Sequence, residues 1–271
     1  MPKLFIVSDI HGFYNQFRKF LDQAGFDETN PDHWLISCGD HFDRGPKNNE
    51  VMKYIMNLPR RVIIKGNHEL LFDEMCARGY PETHDVSNGT ASAIAELGYL
   101  GAMDGDWSEA CDRAYKRTRP FFKEMKNYFE TKNYIFVHSW IPTLPGENWN
   151  GKPWYTQKRY DIFNPNWRDA NQVEWDDAMW GNPFKQAAQG LLPDKNIVFG
   201  HWHCSAGWAE EEHRTEFGDN AKWDIYEGTG KMGTYKSIKF IGIDKCTAHT
   251  KEVNVLVIED DFMEEPNEEK S

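Results

Sequence analysis

Five short apolar runs, at residues 3–7, 34–38, 62–65, 134–137 and 196–199, are each followed at once by Ser, Gly or His. They are rich in β-branched and aromatic residues and too short for helices, the pattern of buried strands entering loops. Between the first three, the spacing changes. Phe13, Phe17, Phe20, Leu21 and Ala24 share one helical face, and Val51, Tyr54, Ile55 and Leu58 share another. Alternating strands and helices predict right-handed βαβ units and an α/β fold whose sheet is covered on both faces. In such folds ligands gather beyond the carboxyl ends of the strands, and the polar motifs of this chain sit there.

Two longer stretches interrupt the alternation. Residues 79–130 read as helical, with Ala91, Ile94, Ala95 and Leu97 on one face, a cap beside the sheet. Residues 140–195 carry Trp140, Trp149, Trp154, Trp167, Trp175 and Trp180 among Pro and Asn. These tryptophans form either an aromatic wall for a nucleobase or peptide, or a small core of the insertion itself, and the second reading is preferred. Gly228-Thr229-Gly230-Lys231-Met232-Gly233 spells a dinucleotide-type fingerprint, but it lies late and between strand-like runs, so a flexible hairpin loop is expected instead. The expected organisation is a single domain over 1–262 with insertions around 79–130 and 140–195. An acidic end follows, from Glu259 onward, with 263–271 as a disordered tail.

The chemistry lies at the strand ends. Ser8-Asp9-Ile10-His11-Gly12, Gly39-Asp40-His41-Phe42-Asp43-Arg44-Gly45, Gly66-Asn67-His68-Glu69, Val137-His138 and Gly200-His201-Trp202-His203 follow the five runs in order. Asp9 and His11 can grip one ion, Asp40 can offer an oxygen to each of two, and Asn67, His138, His201 and His203 add one carbonyl oxygen and three imidazoles. A mixed N and O set without thiolate suits Mn first, with Fe, Zn, Co or Ni as alternatives, over Mg or Ca. Two such cations turn water into a nucleophile near neutral pH. Arg44 offers a planar donor fork for phosphate oxygens. His68 can protonate a leaving group, with Asp43 bonding its other nitrogen. These roles specify phosphate ester hydrolysis by a metal-bridging hydroxide.

At these residues the chain resembles the calcineurin-like metallophosphoesterases. The Gly-Asp-x-x-Asp-Arg-Gly and Gly-Asn-His-Glu blocks are similar to the phosphoprotein phosphatase branch, which includes Ser/Thr protein phosphatases, bacteriophage phosphatases and diadenosine tetraphosphatases. The resemblance implies a four-layer α/β/β/α sandwich. It implies one metal at Asp9, His11 and Asp40, with His203 as a further candidate, and a second at Asp40, Asn67, His138 and His201. His203 departs from the protein phosphatase pattern. The second phosphate-binding arginine of that branch has no clear counterpart, Arg168 being the candidate. The expected function is a dinuclear phosphomonoesterase of the Ser/Thr protein phosphatase type acting on a phosphorylated protein. The alternative is a dinucleoside polyphosphate hydrolase acting on a small phosphoester, and a non-catalytic protein-binding scaffold ranks third because no ligand is missing.

Composition narrows the setting. A net charge of −12 argues against broad attraction to nucleic acid or anionic membrane. The basic strip at Lys116, Arg117 and Arg119 reads as a solvated helix face. Five scattered cysteines without a Cys-x-x-Cys fit reduced thiols. Met1-Pro2-Lys3-Leu4 runs directly into a strand without a signal peptide, and no stretch is apolar enough to span a membrane, so a cytoplasmic location is expected. The Asn88-Gly89-Thr90 triplet has no secretory context to support glycosylation.

Overall fold

Strand residues that alternate between two buried faces account for the continuous apolar runs. In the computed structural model, which describes residues 1–99, 105–146, 161–232 and 236–263, Leu4 and Ile6 of the first strand face a second sheet while Phe5 and Val7 face helices. The strands are β1 (Lys3–Val7), β2 (His33–Cys38), β3 (Arg61–Ile64), β4 (Tyr128–Glu130), β5 (Tyr134–Val137), β6 (Leu144–Pro145), β7 (Asp161–Ile162), β8 (Asn196–Phe199), β9 (Tyr226–Met232), β10 (Lys236–Gly242) and β11 (Leu256–Glu259). The helices are α1 (Tyr14–Gln23), α2 (Asn48–Asn57), α3 (Asn67–Arg78), α4 (Thr83–Asn88), α5 (Thr90–Leu97), α6 (Trp107–Glu124), α7 (Gln172–Ala178), α8 (Pro183–Ala188), α9 (Cys204–Glu212) and α10 (Thr247–Thr250).

One sheet has the order β11-β1-β2-β3 and the other β4-β5-β8-β10-β9, with β6 and β7 forming a separate small ribbon. β1, β2 and β3 are parallel, as are β5, β8 and β10, while β11, β4 and β9 pair antiparallel at the edges. Three apolar clusters separate four layers. Phe5, Val7, Leu35 and Ile63 meet Phe17, Leu21, Val51, Phe72, Ile94 and Phe121 on the helices outside the first sheet. Leu4, Ile6, Ile36 and Val62 meet Phe136, Val198 and Ile241 between the sheets. Ile135, Ile197 and Phe199 meet Trp140, Trp167, Trp175 and Phe184 outside the second. The fold is thus of the α/β class expected, and each fully buried Leu, Ile or Phe contributes about 1.5–3 kcal/mol.

Several local expectations change. Trp140, Trp167 and Trp175 are buried core residues, but Trp180 is exposed; Trp149 and Trp154 lie outside the described residues. The glycine-rich stretch belongs to the expected hairpin, β9 with β10, but residues 228–232 form its strand rather than its loop, paired from Gly228↔Phe240 onward, and Gly233 lies outside the described residues. A side chain at Gly228 would strike the Phe240 ring, so glycine here serves packing within a strand. The acidic end begins later than expected. Glu259 closes β11, and buried Asp260 accepts bonds from Thr131 Oγ1 (2.6 Å) and from the Asn133 amide (2.9 Å) and side chain (2.6 Å). Residues 264–271 lie outside the described residues. Among the described residues, no helix is long and apolar enough to cross a membrane.

Candidate metal centre

The loops after β1, β2 and β8 turn sharply, and their functional residues bear the turn. Asp9, His11, Asp40, Asp43, Arg44 and His201 all have positive φ, between 48° and 76°. That region costs a non-glycine residue about 1–3 kcal/mol and persists where surrounding contacts enforce it. Here the contacts are mutual: the His11 amide donates to the Asp40 carbonyl (2.9 Å), the Asp9 amide to the Gly39 carbonyl (3.1 Å) and the Gly45 amide to the His11 carbonyl (2.8 Å). The His201 amide donates to Asp9 Oδ2 (3.0 Å), tying the two sheets together.

Asp40 stands at the centre with its two oxygens facing different neighbours. Oδ2 lies 3.7 Å from His11 Nε2 and 3.8 Å from His68 Nε2, and Oδ1 lies 3.3 Å from His138 Nε2. Asp9 Oδ1 is 4.0 Å from the same His11 nitrogen. On the other side Asn67 Oδ1 lies 2.8 Å from His138 Nε2 and 2.9 Å from His201 Nδ1. Two groups result, His11 with Asp40 and His68, and Asp40 with His138 and His201, each with donor atoms within 4.8 Å of one another.

This donor set fits two divalent cations. Ligand bonds of about 2.0–2.1 Å put neighbouring donor atoms about 3 Å apart, as they are around Asn67 Oδ1. His11 Nδ1 lies 2.9 Å from the Phe42 carbonyl and His138 Nδ1 2.9 Å from the Cys38 carbonyl, which fixes both rings with Nε2 lone pairs turned inward. Burial, and then Arg44 for His11 and His138 for His201, holds those two imidazoles well below their usual pKa, in the neutral form a metal requires. Asp9 is pushed up to about 6 by burial and by Asp40. Crowded carboxylates of this kind are neutralised by a cation.

Beside the ligands lies a proton-handling pair. His68 Nδ1 is 2.7 Å from Asp43 Oδ2, and Arg44 Nη2 is 3.1 Å from His68 Nε2. Burial works against charge on His68, but Asp40 and then Asp43 outweigh it and raise its pKa. Thr90 Oγ1, at the start of α5, donates to Asp43 Oδ2 (2.6 Å), so the 79–130 segment holds the pair in place. Arg44 is itself exposed and free to meet an anion.

Glu69 is an unanticipated member. Its Oε2 accepts from the Asp40 amide (3.0 Å) and the Gly66 amide (2.8 Å), and Oε1 accepts from the His41 amide (2.9 Å). Burial opposes this charge, but the His41 ring and these amides outweigh it and hold Glu69 at about 2. The carboxylate therefore clamps the Asp40 loop to the start of α3, which carries Asn67 and His68. Gly66 permits the approach, since a Cβ there would stand 2.2 Å from Asp40 Oδ1. Glu69 was visible in the Gly-Asn-His-Glu block, but nothing local signals its partners 28 and 29 residues away. Thr90 carried no signal at all.

Two candidates fall elsewhere. Neither Asp9 nor His203 is in either group, but Asp9 still faces His11, whereas His203 Nδ1 lies 2.9 Å from Ser205 Oγ and its Nε2 3.4 Å from Glu216. Arg168 does not reach the site. It pairs with Glu130 and with Asp194 (2.7 Å), at the amino ends of β5 and β8, opposite the ends that carry His138 and His201.

The calcineurin-like phosphoesterase family profile matches residues 2–205. A symmetrical bis(5'-nucleosyl)-tetraphosphatase of Nitrosococcus oceani is 38% identical over 253 residues, covering 73% of this chain and 82% of that protein. A protein of the same description from Buchnera aphidicola is 40% identical over 67 residues, and the match spans only 24% of each chain. Among solved structures, a protein serine/threonine phosphatase from Saccharomyces cerevisiae is 12% identical with a TM-score of 0.46, covering 98% of this chain and 82% of that one. The chain belongs to the calcineurin-like phosphoesterases, a family of metal-dependent phosphoric ester hydrolases.

Proposed function

We propose that the protein hydrolyses dinucleoside polyphosphates of the diadenosine tetraphosphate type, giving two nucleoside diphosphates. The observation that carries this reading is a pair of ligand groups sharing Asp40, in a chain 38% identical to a symmetrical tetraphosphatase over 82% of that protein. The Ser/Thr protein phosphatase reading, preferred on sequence alone, gives way to it.

Asp9, His11 and Asp40 would hold one ion, and Asp40, Asn67, His138 and His201 the other. His203 would join only by giving up Ser205 and Glu216. Two bound divalent cations supply activation of water and neutralisation of phosphate charge. Arg44 would leave His68 Nε2 to bind a phosphate oxygen through its planar fork. His68 would hold a proton at Nε2 for the departing phosphate, its ring fixed through Nδ1 by Asp43. Thr90 keeps Asp43 oriented.

The test is parallel incubation of Mn²⁺-loaded protein with diadenosine tetraphosphate and a phosphoserine peptide, with products separated by chromatography. Metal-dependent release of two ADP supports the reading. Turnover of the peptide alone overturns it.

A further inference from the structure

Trp140, Trp167 and Trp175 are core, so an exposed tryptophan beside the candidate ligands, among the described residues, is informative. Trp180 is 47% exposed, and its ring meets the His201 ring edge-on at 6.4 Å. Its position is fixed: the next residue, Gly181, offers its carbonyl to Ser139 Oγ at 2.9 Å, directly after the ligand His138. A second open ring lies beyond α9, against the other histidine of the loop that follows β8. Phe217 is 51% exposed and rests on His203 (4.9 Å), backed by Trp223 (5.6 Å) and His249 (5.9 Å). The exposed tyrosines 80, 99 and 115 differ, each carrying an arginine over its face.

We infer that Trp180 and Phe217 are two nucleobase platforms flanking the metal centre, one for each end of a symmetrical dinucleotide. This rests on the proposed function and adds how the substrate is recognised. Stacking on an aromatic face is indifferent to base identity and suits an anionic ligand whose only apolar parts are its two bases. Trp180 rests on the candidate ligand His201, and Phe217 rests on His203, two residues further along the same loop. A single platform would leave the cleaved bond unspecified. Two platforms place the bases on either side and set the middle of the phosphate chain over the ligands.

The experiment measures KM for diadenosine tetraphosphate with the Mn²⁺-loaded full chain and with Trp180→Leu, Trp180→Phe, Phe217→Leu and Phe217→Tyr. Calorimetry supplies the Kd of ADP and of pyrophosphate for the same proteins. Each leucine variant raises KM about tenfold. In the Trp180→Leu/Phe217→Leu double variant, where neither platform remains, the ratio of pyrophosphate Kd to ADP Kd shrinks by a similar factor, because only ADP carries a base. Trp180→Phe and Phe217→Tyr, which keep a ring face, recover most of the loss. Should the leucine variants keep the parent KM, or the double variant weaken pyrophosphate as much as ADP, the platforms are refuted while the proposed function stands. A shift at one position alone refutes the two-sided arrangement. Failure of the parent protein to cleave the dinucleotide refutes the proposed function itself.

Discussion

Replacing Glu69 by glutamine removes one charge and almost no volume from the clamp beneath the metal centre. The carboxylate presents one oxygen to the Asp40 and Gly66 amides and the other to His41. A glutamine has a single oxygen, so its NH₂ must face at least one of these amides donor to donor. Each buried donor left without a partner costs about 1–3 kcal/mol. With one or two orphaned, the loss is about 1–6 kcal/mol. Against burial, the His41 ring, and then these same bonds, lower the Glu69 pKa from 4.5 to about 2, which corresponds to roughly 3 kcal/mol. The sign follows from that lowering. The stabilisation is complete above pH 4.5 and is lost as pH falls towards 2. Urea denaturation of metal-free protein, followed by tryptophan fluorescence, is the assay. At pH 7 the variant should lose about 3 kcal/mol, and below pH 4.5 the gap between the two proteins should close. A loss under about 1 kcal/mol at pH 7, or a gap that stays constant down to pH 3, refutes the clamp.

His68→Asn should lower kcat about 10²–10⁴-fold while the protein keeps its metal, as measured by elemental analysis. The loss should shrink on esters with very acidic leaving groups, and an equal loss on all substrates contradicts the proton-donor role. Thr90→Val removes a hydroxyl from buried Asp43 and should cost about 1–3 kcal/mol in denaturation, with a fall in kcat; unchanged values contradict the role of α5. Ile36→Ala opens a cavity between the sheets and should cost about 2–5 kcal/mol without changing KM, which steady-state kinetics at low temperature will show.

The legible parts of this molecule are those whose cause is local. β1, β2, β3, β5 and β8 lie between two covered faces, so each reads as an unbroken apolar run, and the observed ends differ from the expected ones by at most one residue. The loops beyond them carry Asp, His and Asn in an order no strand or helix needs, which exposed the candidate ligands. β11 was not legible: it pairs antiparallel with β1 at a sheet edge, its residues are only half-buried, and acidic residues follow it. The Glu69 clamp, the Thr90 bond and the pairing of Arg168 with Glu130 and Asp194 join distant segments, and no periodicity records such meetings. Trp180 misled for a related reason. Its composition matches that of the buried tryptophans 140, 167 and 175, and only the turn after α7 decides that it faces outward.

The proposed reaction depends on strand-end ligands that hold two cations and share Asp40. Mn²⁺ titration of stripped protein by calorimetry, with hydrolysis of diadenosine tetraphosphate followed on the same samples, is the decisive experiment. Two Mn²⁺ per chain are expected, with activity rising to saturation at the second, and for Asp40→Asn a loss of affinity at both sites with activity down more than about 100-fold. A single site in the parent protein, or an Asp40→Asn variant that still binds two ions and turns over normally, would contradict it.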